Sequence, residues 1–170
     1  MSGSQNENEF WRFSLRVYRA PGVPDECIAV QERYGVDVNL MLFCAWVGAE
    51  CRRAMTQDEL ASCRAAVGEW HERTVKPLRA ARQTMKGLAG VEPLRTQVKG
   101  LELEAERIEQ TMLFEVAKLK WLAPGDSDPT GAARANVEIF LRTHRAPGLE
   151  LVPALMAAVE KDASRTAGAR

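Results

Sequence analysis

The chain has 170 residues, of which 46% are hydrophobic and 27% charged, a composition typical of a folded globular domain rather than a disordered segment. Lysine plus arginine equal aspartate plus glutamate at 23 each, so no overall charge favours nucleic acid or an anionic membrane. The first residues lack a signal-peptide pattern, and no apolar run reaches about 18 residues. We therefore expect a cytoplasmic protein without membrane association.

Apolar positions recur at spacings of three and four, which predicts helices and no strands. Over residues 7–54 the pattern predicts a compact unit of three helices separated by proline and glycine breakers. The third helix begins at Asp37 and has almost no polar side chain between residues 38 and 47. Because a helix that is apolar on every face must be covered on every face, we predict that it lies at the centre of the fold.

A long antiparallel helical hairpin is predicted over residues 56–123. Its first arm begins at a capping box formed by Thr56 and Glu59, and Pro77 should kink that arm one turn earlier. The second arm has an apolar seam with heptad-like spacing, which we predict to face the first arm. The members of this seam are Leu94, Val98, Leu101, Ala105, Ile108, Met112, Leu119 and Leu122.

Two further helices are predicted over residues 128–163, the first of them capped by Asp128. We expect the chain ends to be frayed, including the last residues from 163 onward. Together these elements predict one all-α domain spanning residues 1–170. Its architecture would be an irregular helical bundle, with the compact N-terminal helical unit packed on the long antiparallel helical hairpin and the two C-terminal helices covering the remainder.

The N-terminal sequence contains the pattern Phe10-Trp-x-Phe-Ser-Leu-x-x-Tyr18, followed by Gln31-x-x-x-Gly35 and Asp37-Val-Asn-Leu-x-Leu-Phe43. This pattern resembles the signature of a small bacterial family of domains of unknown function. The resemblance covers residues 10–46, and a fainter one continues to residue 107. It implies a compact helical cytoplasmic protein, and it supplies no activity and no catalytic residue.

Motifs for catalysis or cofactor binding are absent from the sequence. There is no phosphate-binding, dinucleotide-binding or serine-hydrolase motif, and the four cysteines form no C-x-x-C pair. We therefore predict free thiols, no metal site, no cofactor and no catalytic residue. Glu102, Glu106 and Glu109 form a carboxylate series, but they lack the Glu-x-x-His motif of a di-iron bundle, and we predict that they are solvated.

Charge is segregated along the hairpin. Residues 73–99 carry seven basic residues and one acidic residue, whereas residues 102–115 carry five acidic residues and one basic residue. This pattern is typical of charges that set the register between two helices. Alternatively, Arg79, Arg82 and Lys86, near the tip where acidic partners run out, form a binding surface for a partner or an anion. We expect the partner to be a protein. RNA or another anion is an alternative partner, and self-association into a homo-oligomer is also possible.

A pocket in the N-terminal unit is the second candidate site. Gln31 and Asn39 are polar residues among apolar neighbours, and Trp11, Tyr18 and Trp46 lie on the surrounding helices. Such polar groups either satisfy the backbone inside a core or line a ligand pocket. The sequence assigns no biochemical function. It favours a non-enzymatic interaction or regulatory module of the bacterial cytoplasm, and the alternative is a small-molecule sensor or enzyme that uses this pocket.

Overall fold

The computed structural model describes residues 7–121 and 123–168, and this part of the chain contains eight α-helices and no strand. The prediction of an all-α protein is therefore confirmed. A π-helical turn at His71–Val75 joins the fourth and fifth helices, and a 3-10 turn at Leu149–Leu151 precedes the last. The helices are α1 (Glu9–Tyr18), α2 (Val23–Tyr34), α3 (Val38–Ala49), α4 (Gln57–Trp70), α5 (Lys76–Thr84), α6 (Glu92–Lys120), α7 (Pro129–Thr143) and α8 (Pro153–Gly168).

The centre of the fold is α3, as its apolar sequence predicts. All residues from Asn39 to Ala49 are buried. Its most extensive packing is against α7, and α1, α6 and α8 also contact it. The helix predicted as part of an N-terminal unit therefore has its main partner near the C-terminus of the chain.

A glycine permits the close contact between α3 and α7. A Cβ atom built at Gly48 would lie 2.2 Å from the backbone nitrogen of Ala133 and 2.3 Å from its Cα atom. Real Cβ atoms do not approach backbone this closely, so a larger residue at position 48 would force the two helices apart. The small side chains of Ala132 and Ala133 complete this contact surface.

The arms of the hairpin, α4 with α5 and α6, run antiparallel. The indole Nε1 of Trp70 donates to the carbonyl oxygen of Ala105, while Arg79, closer to the tip, contacts Glu102 and Glu106. The capping box at Thr56 is present. The π-helical turn ends just before Pro77, which lacks the N–H that an uninterrupted α-helix would use.

The buried face of α6 differs from the predicted apolar seam. Leu94 and Leu101 are exposed and Leu119 is 89% exposed, while Leu122 lies outside the described residues. The predicted seam is therefore wrong at these three leucines, where polar side chains take the buried positions, whereas Ala105 is buried and Val98, Ile108 and Met112 are partly buried. The buried residues of α6 are Glu102, Ala105, Glu109, Gln110, Leu113 and Ala117.

The C-terminal helices pack on α3 and α1. In α7 the apolar residues Ala133, Val137, Phe140 and Leu141 are buried, and Asp128 caps the helix by accepting a hydrogen bond from Gly131. In α8, Leu155 and Val159 are buried, and the helix continues to Gly168, beyond the position where we expected fraying. Within the described residues, no helix combines the length and apolar character needed to cross a bilayer.

Candidate functional site

A buried polar cluster lies where α3, the π-helical turn and α6 meet. Asp37 is the N-cap of α3, and its Oδ1 atom accepts a hydrogen bond from the backbone nitrogen of Leu40 at 3.2 Å. His71 is the first residue of the π-helical turn, and Glu109 lies on the buried face of α6. Three separate elements thus bring two carboxylates and one imidazole into the interior.

The side chains of this cluster are close to one another. The Nδ1 atom of His71 lies 2.8 Å from Oε1 of Glu109 and 3.4 Å from Oδ2 of Asp37. The amide of Asn39 donates to Oε2 of Glu109 at 2.6 Å, and the amide of Gln110 donates to Oδ1 of Asn39 at 2.8 Å. These contacts form a continuous polar chain from Asp37 to Gln110.

The electrostatics of the cluster favour a positive charge between the two carboxylates. Burial, followed by the charge of Glu109, raises the pKa of Asp37 to about 7. Burial by itself would lower the pKa of His71, but the hydrogen bond to Glu109 and the charges of both carboxylates raise it overall. One donor atom from each of Asp37, His71 and Glu109 lies within 4.8 Å of the others, so these residues could also hold a metal ion.

The sequence carries no local signal for this cluster, because its members are 34 and 38 positions apart and form no motif. The prediction that the glutamates of α6 are solvated is wrong for Glu102 and Glu109, which are 5% and 0% exposed. A carboxylate on an amphipathic helix normally faces water, and only partners from other helices reveal that it is buried. Asp37 was identified as a helix start, but nothing local connected it with His71.

A second ionic network lies nearer the hairpin tip. The Nε atom of Arg79 donates to Glu102 at 3.2 Å, and its terminal nitrogen donates to Glu106 at 2.7 Å. Arg82 donates to both carboxylate oxygens of Glu102. This pairing raises the pKa of Arg82, while burial raises that of Glu106. The expectation that Arg79 and Arg82 lack acidic partners is therefore wrong, and only Lys86 of the three is exposed.

A cleft of about 440 Å³ adjoins both the network and the cluster. It lies between α1, α2 and α3 on one side and α5 and α6 on the other. Four of the five residues predicted to form a pocket line it, and Arg79 and Arg82 line it as well. The four are Trp11, Tyr18, Gln31 and Asn39.

The fifth predicted pocket residue, Trp46, does not line the cleft. It is buried among aromatic side chains, with ring-centroid distances of 5.6 Å to Phe10 and 5.7 Å to both Phe43 and Phe114. Trp46 therefore belongs to the core. Lys86 is also absent from the cleft lining, since it lies farther along the hairpin towards the tip.

Two residues of the cleft carry buried polar atoms that have no hydrogen-bond partner among the described residues. They are the hydroxyl oxygen of Ser14 and the Oε1 atom of Gln110. An unpaired polar atom in an apolar setting costs about 1–3 kcal/mol, so such atoms are uncommon in folded proteins. Both atoms are shielded from solvent.

A wider depression of about 560 Å³ lies between α7 and α8. It is shallower, and an exposed ion pair between Arg134 and Glu160 forms part of its wall. Among the described residues, its lining includes no unpaired buried polar atom and no group of side chains placed to hold a metal ion. The cleft beside α6 is therefore the stronger candidate site.

The fold and the site together define an all-α protein with a cleft of mixed polarity beside a buried carboxylate–imidazole cluster. The chain belongs to the family described as Protein of unknown function (DUF2390), whose model matches residues 9–113. This membership confirms the predicted relation to a domain of unknown function. No curated protein and no solved structure matches the chain. Every residue of the cleft and of the cluster lies within the matched range, whereas α7 and α8 lie outside it.

Proposed function

We propose that this protein binds a small molecule in the cleft between α1, α2, α3 and the hairpin, as a ligand-binding module of the bacterial cytoplasm. The observation that supports this function best is that Ser14 and Gln110, each with an unpaired buried oxygen, line the same cleft. The cleft volume of about 440 Å³ lies within the range typical of ligand sites.

The wall of the cleft indicates the chemistry of the ligand. Apolar side chains and the rings of Trp11 and Tyr18 favour an aromatic or aliphatic body. The Oε1 atom of Gln110 can only accept a hydrogen bond, so the ligand should carry an N–H or O–H donor. The apolar members of the wall are Leu15, Ile28, Val38, Leu42 and Leu103.

Charge at the cleft favours an acidic group on the ligand. Arg79 and Arg82 are neutralised by Glu102 and Glu106. Lys99 also lines the cleft, is exposed, and makes no ion pair with any residue in the described part of the chain. We therefore propose a small amphipathic carboxylic acid, with its carboxylate towards Lys99 and a hydrogen-bond donor towards Gln110.

The other candidate, a protein partner at the hairpin tip, has less support. This hypothesis requires unpaired cations at the tip. The guanidinium groups of Arg79 and Arg82 are instead paired with glutamates. Binding of a protein, RNA or another anion at Lys86 stays a prediction from the sequence.

A blocking substitution tests the proposed cleft. Leu103 is 52% exposed and lines the cleft, so L103W should fill the cleft without disturbing the core. Leu101 is 59% exposed on the same helix and does not line the cleft, which makes L101W a matched control. The probe is a library of small aromatic and aliphatic carboxylic acids, and binding is measured by ligand-observed NMR.

We expect specific hits with the wild-type protein and with L101W, and loss of these hits with L103W. K99Q should weaken the binding of the same acids, because it removes a positive charge from the rim of the cleft. Hits that persist unchanged in L103W, or a library that yields none with the wild-type protein, would contradict binding at this cleft.

A further inference from the structure

We propose that Asp37, His71 and Glu109 form a binding site for a divalent first-row transition-metal ion, with Zn²⁺ as the best match. The proposal is independent of the ligand in the cleft. It rests on the convergence of one imidazole and two carboxylates in the interior, each from a different structural element.

The spacing of the donor atoms suits direct coordination. Zinc lies about 2.0–2.2 Å from imidazole nitrogens and carboxylate oxygens, so two ligand atoms in a tetrahedral site are separated by roughly 3.3–3.6 Å. The Nδ1 atom of His71 is already 3.4 Å from Oδ2 of Asp37. Its distance of 2.8 Å to Oε1 of Glu109 needs to open by about half an ångström or a little more. The metal would replace the proton that now bridges His71 and Glu109.

The carboxylate oxygens that are not needed for the metal are held by neighbouring groups. Oδ1 of Asp37 accepts from the backbone of Leu40, and Oε2 of Glu109 accepts from Asn39. Asn39 is in turn oriented by Gln110. Outer hydrogen bonds of this kind fix the direction of metal ligands and are a regular part of protein metal sites. One oxygen of each carboxylate therefore remains free to face the ion.

The ligand types select the class of metal. One imidazole and two carboxylates suit Zn²⁺, Mn²⁺ or Fe²⁺, whereas Ca²⁺ and Mg²⁺ prefer more oxygen ligands. Three protein ligands leave at least one position on the metal for water. Asn39 and Gln110 border both the cluster and the cleft, so the ion would lie behind the polar wall of the cleft.

The test is a calorimetric titration of the full chain, stripped with a chelator and then titrated with ZnCl₂, MnCl₂ or MgCl₂. We expect one equivalent of Zn²⁺ to bind, with weaker Mn²⁺ and no measurable Mg²⁺ binding. D37N and H71Q should each lower the affinity for Zn²⁺ by about 100-fold or more, since each removes a ligand from the metal. Asparagine at position 37 can still cap α3, and glutamine at position 71 can still donate to Glu109.

Matched controls are available in the same chain. H144Q removes the other histidine, and D58N removes an exposed carboxylate from the first turn of α4. Neither should change Zn²⁺ binding. The absorption spectrum of the Co²⁺-loaded protein should lack a thiolate charge-transfer band, because the proposed site contains no cysteine.

A measurement that keeps the site intact covers the case in which D37N or H71Q fails to fold. In H144Q, His71 is the sole imidazole of the chain. One equivalent of Zn²⁺ should shift its ring resonances in the NMR spectrum. Lack of saturable Zn²⁺ binding, unshifted His71 resonances, or unchanged affinity in folded D37N and H71Q would overturn the proposal.

Discussion

The side-chain amide of Asn39 donates a 2.6 Å hydrogen bond to the carboxylate of Glu109, and this contact joins α3 to α6 in the interior. Asn39 is a buried polar residue in a helix whose other side chains are apolar. Its amide oxygen also accepts from Gln110. A single side chain thus satisfies polar groups on two consecutive residues of α6.

We predict that N39L destabilises the protein by about 3 kcal/mol. The substitution leaves Oε2 of Glu109 without its donor and the amide of Gln110 without its acceptor, and an unsatisfied buried group costs about 1–3 kcal/mol. The free energy of unfolding in urea measures the effect. Q97L, at an exposed position of α6, is the control and should change it by less than about 0.5 kcal/mol. An equal effect of both substitutions would show that the Asn39 contact is not stabilising.

The second prediction concerns the double reversal R79E/R82E. The side chains of Arg79 and Arg82 are only 13% and 25% exposed and are paired with Glu102 and Glu106. Their reversal therefore places four carboxylates together in a poorly solvated region. We expect a loss of about 3 kcal/mol or more, because breaking a buried ion pair leaves an uncompensated charge.

K86E is the control for this reversal. Lys86 is exposed near the same hairpin tip, so its reversal should have little effect on chemical denaturation. If R79E/R82E lowers the free energy of unfolding as little as K86E does, the two arginines are not held in buried ion pairs. The hypothesis of a binding surface at the hairpin tip would then regain support.

The third prediction is that G48A destabilises the protein by at least about 3 kcal/mol. The added methyl group would overlap the backbone of Ala133 and push α3 away from α7, and overpacking against backbone cannot be relieved by a side-chain rotation. G100A, on α6, meets no atom within 4 Å and should stabilise the helix by about 0.5–1 kcal/mol. Thermal and chemical denaturation of the two variants should therefore change in opposite directions.

The fourth prediction concerns the buried thiols. All four cysteines are buried and unpaired, and burial raises the pKa of Cys27 and Cys51 to about 12 and that of Cys63 to about 11. Burial also raises the pKa of Cys44 well above its usual range. Because the unfolded chain ionises its thiols near pH 8.5 and the folded chain does not, stability is complete below that pH and falls as the pH rises towards 11 and 12.

Two measurements check this behaviour. Alkylation at pH 8 should be slow in the folded protein and rapid for four thiols in urea. Replacement of Cys63 by alanine should make the decline of unfolding free energy between about pH 9 and 11 shallower, by up to about 1.4 kcal/mol per pH unit. A decline with the same slope in C63A would show that ionisation of this thiol is not linked to unfolding.

Local signals in the sequence were enough to predict where several of the helices begin. These signals act over about four residues, so a short stretch of sequence is enough to recognise them. They are the capping box at Thr56, the caps at Asp37 and Asp128, and the proline breakers. The burial of α3 was also predictable, because an uninterrupted apolar run has no face that can remain in water.

The buried face of α6 was decided by tertiary structure. Hydrophobicity favours burial of Leu101 and Leu119, yet the fold buries Glu102 and Glu109 instead. A carboxylate can leave water only when donors and cations from elsewhere compensate its lost hydration. For Glu102 these are arginines of α5, and for Glu109 they are Asn39 and His71.

The candidate site depends on the same long-range contacts. The sequence identified two candidate sites, and the fold places six of their eight residues around one cleft, all except Trp46 and Lys86. It also brings Asp37, His71 and Glu109 together across 72 positions of chain. Composition and spacing determine helices because helical contacts are local. The cleft and the cluster arise only where α3, α5 and α6 meet, because their chemistry depends on which distant side chains share one buried volume.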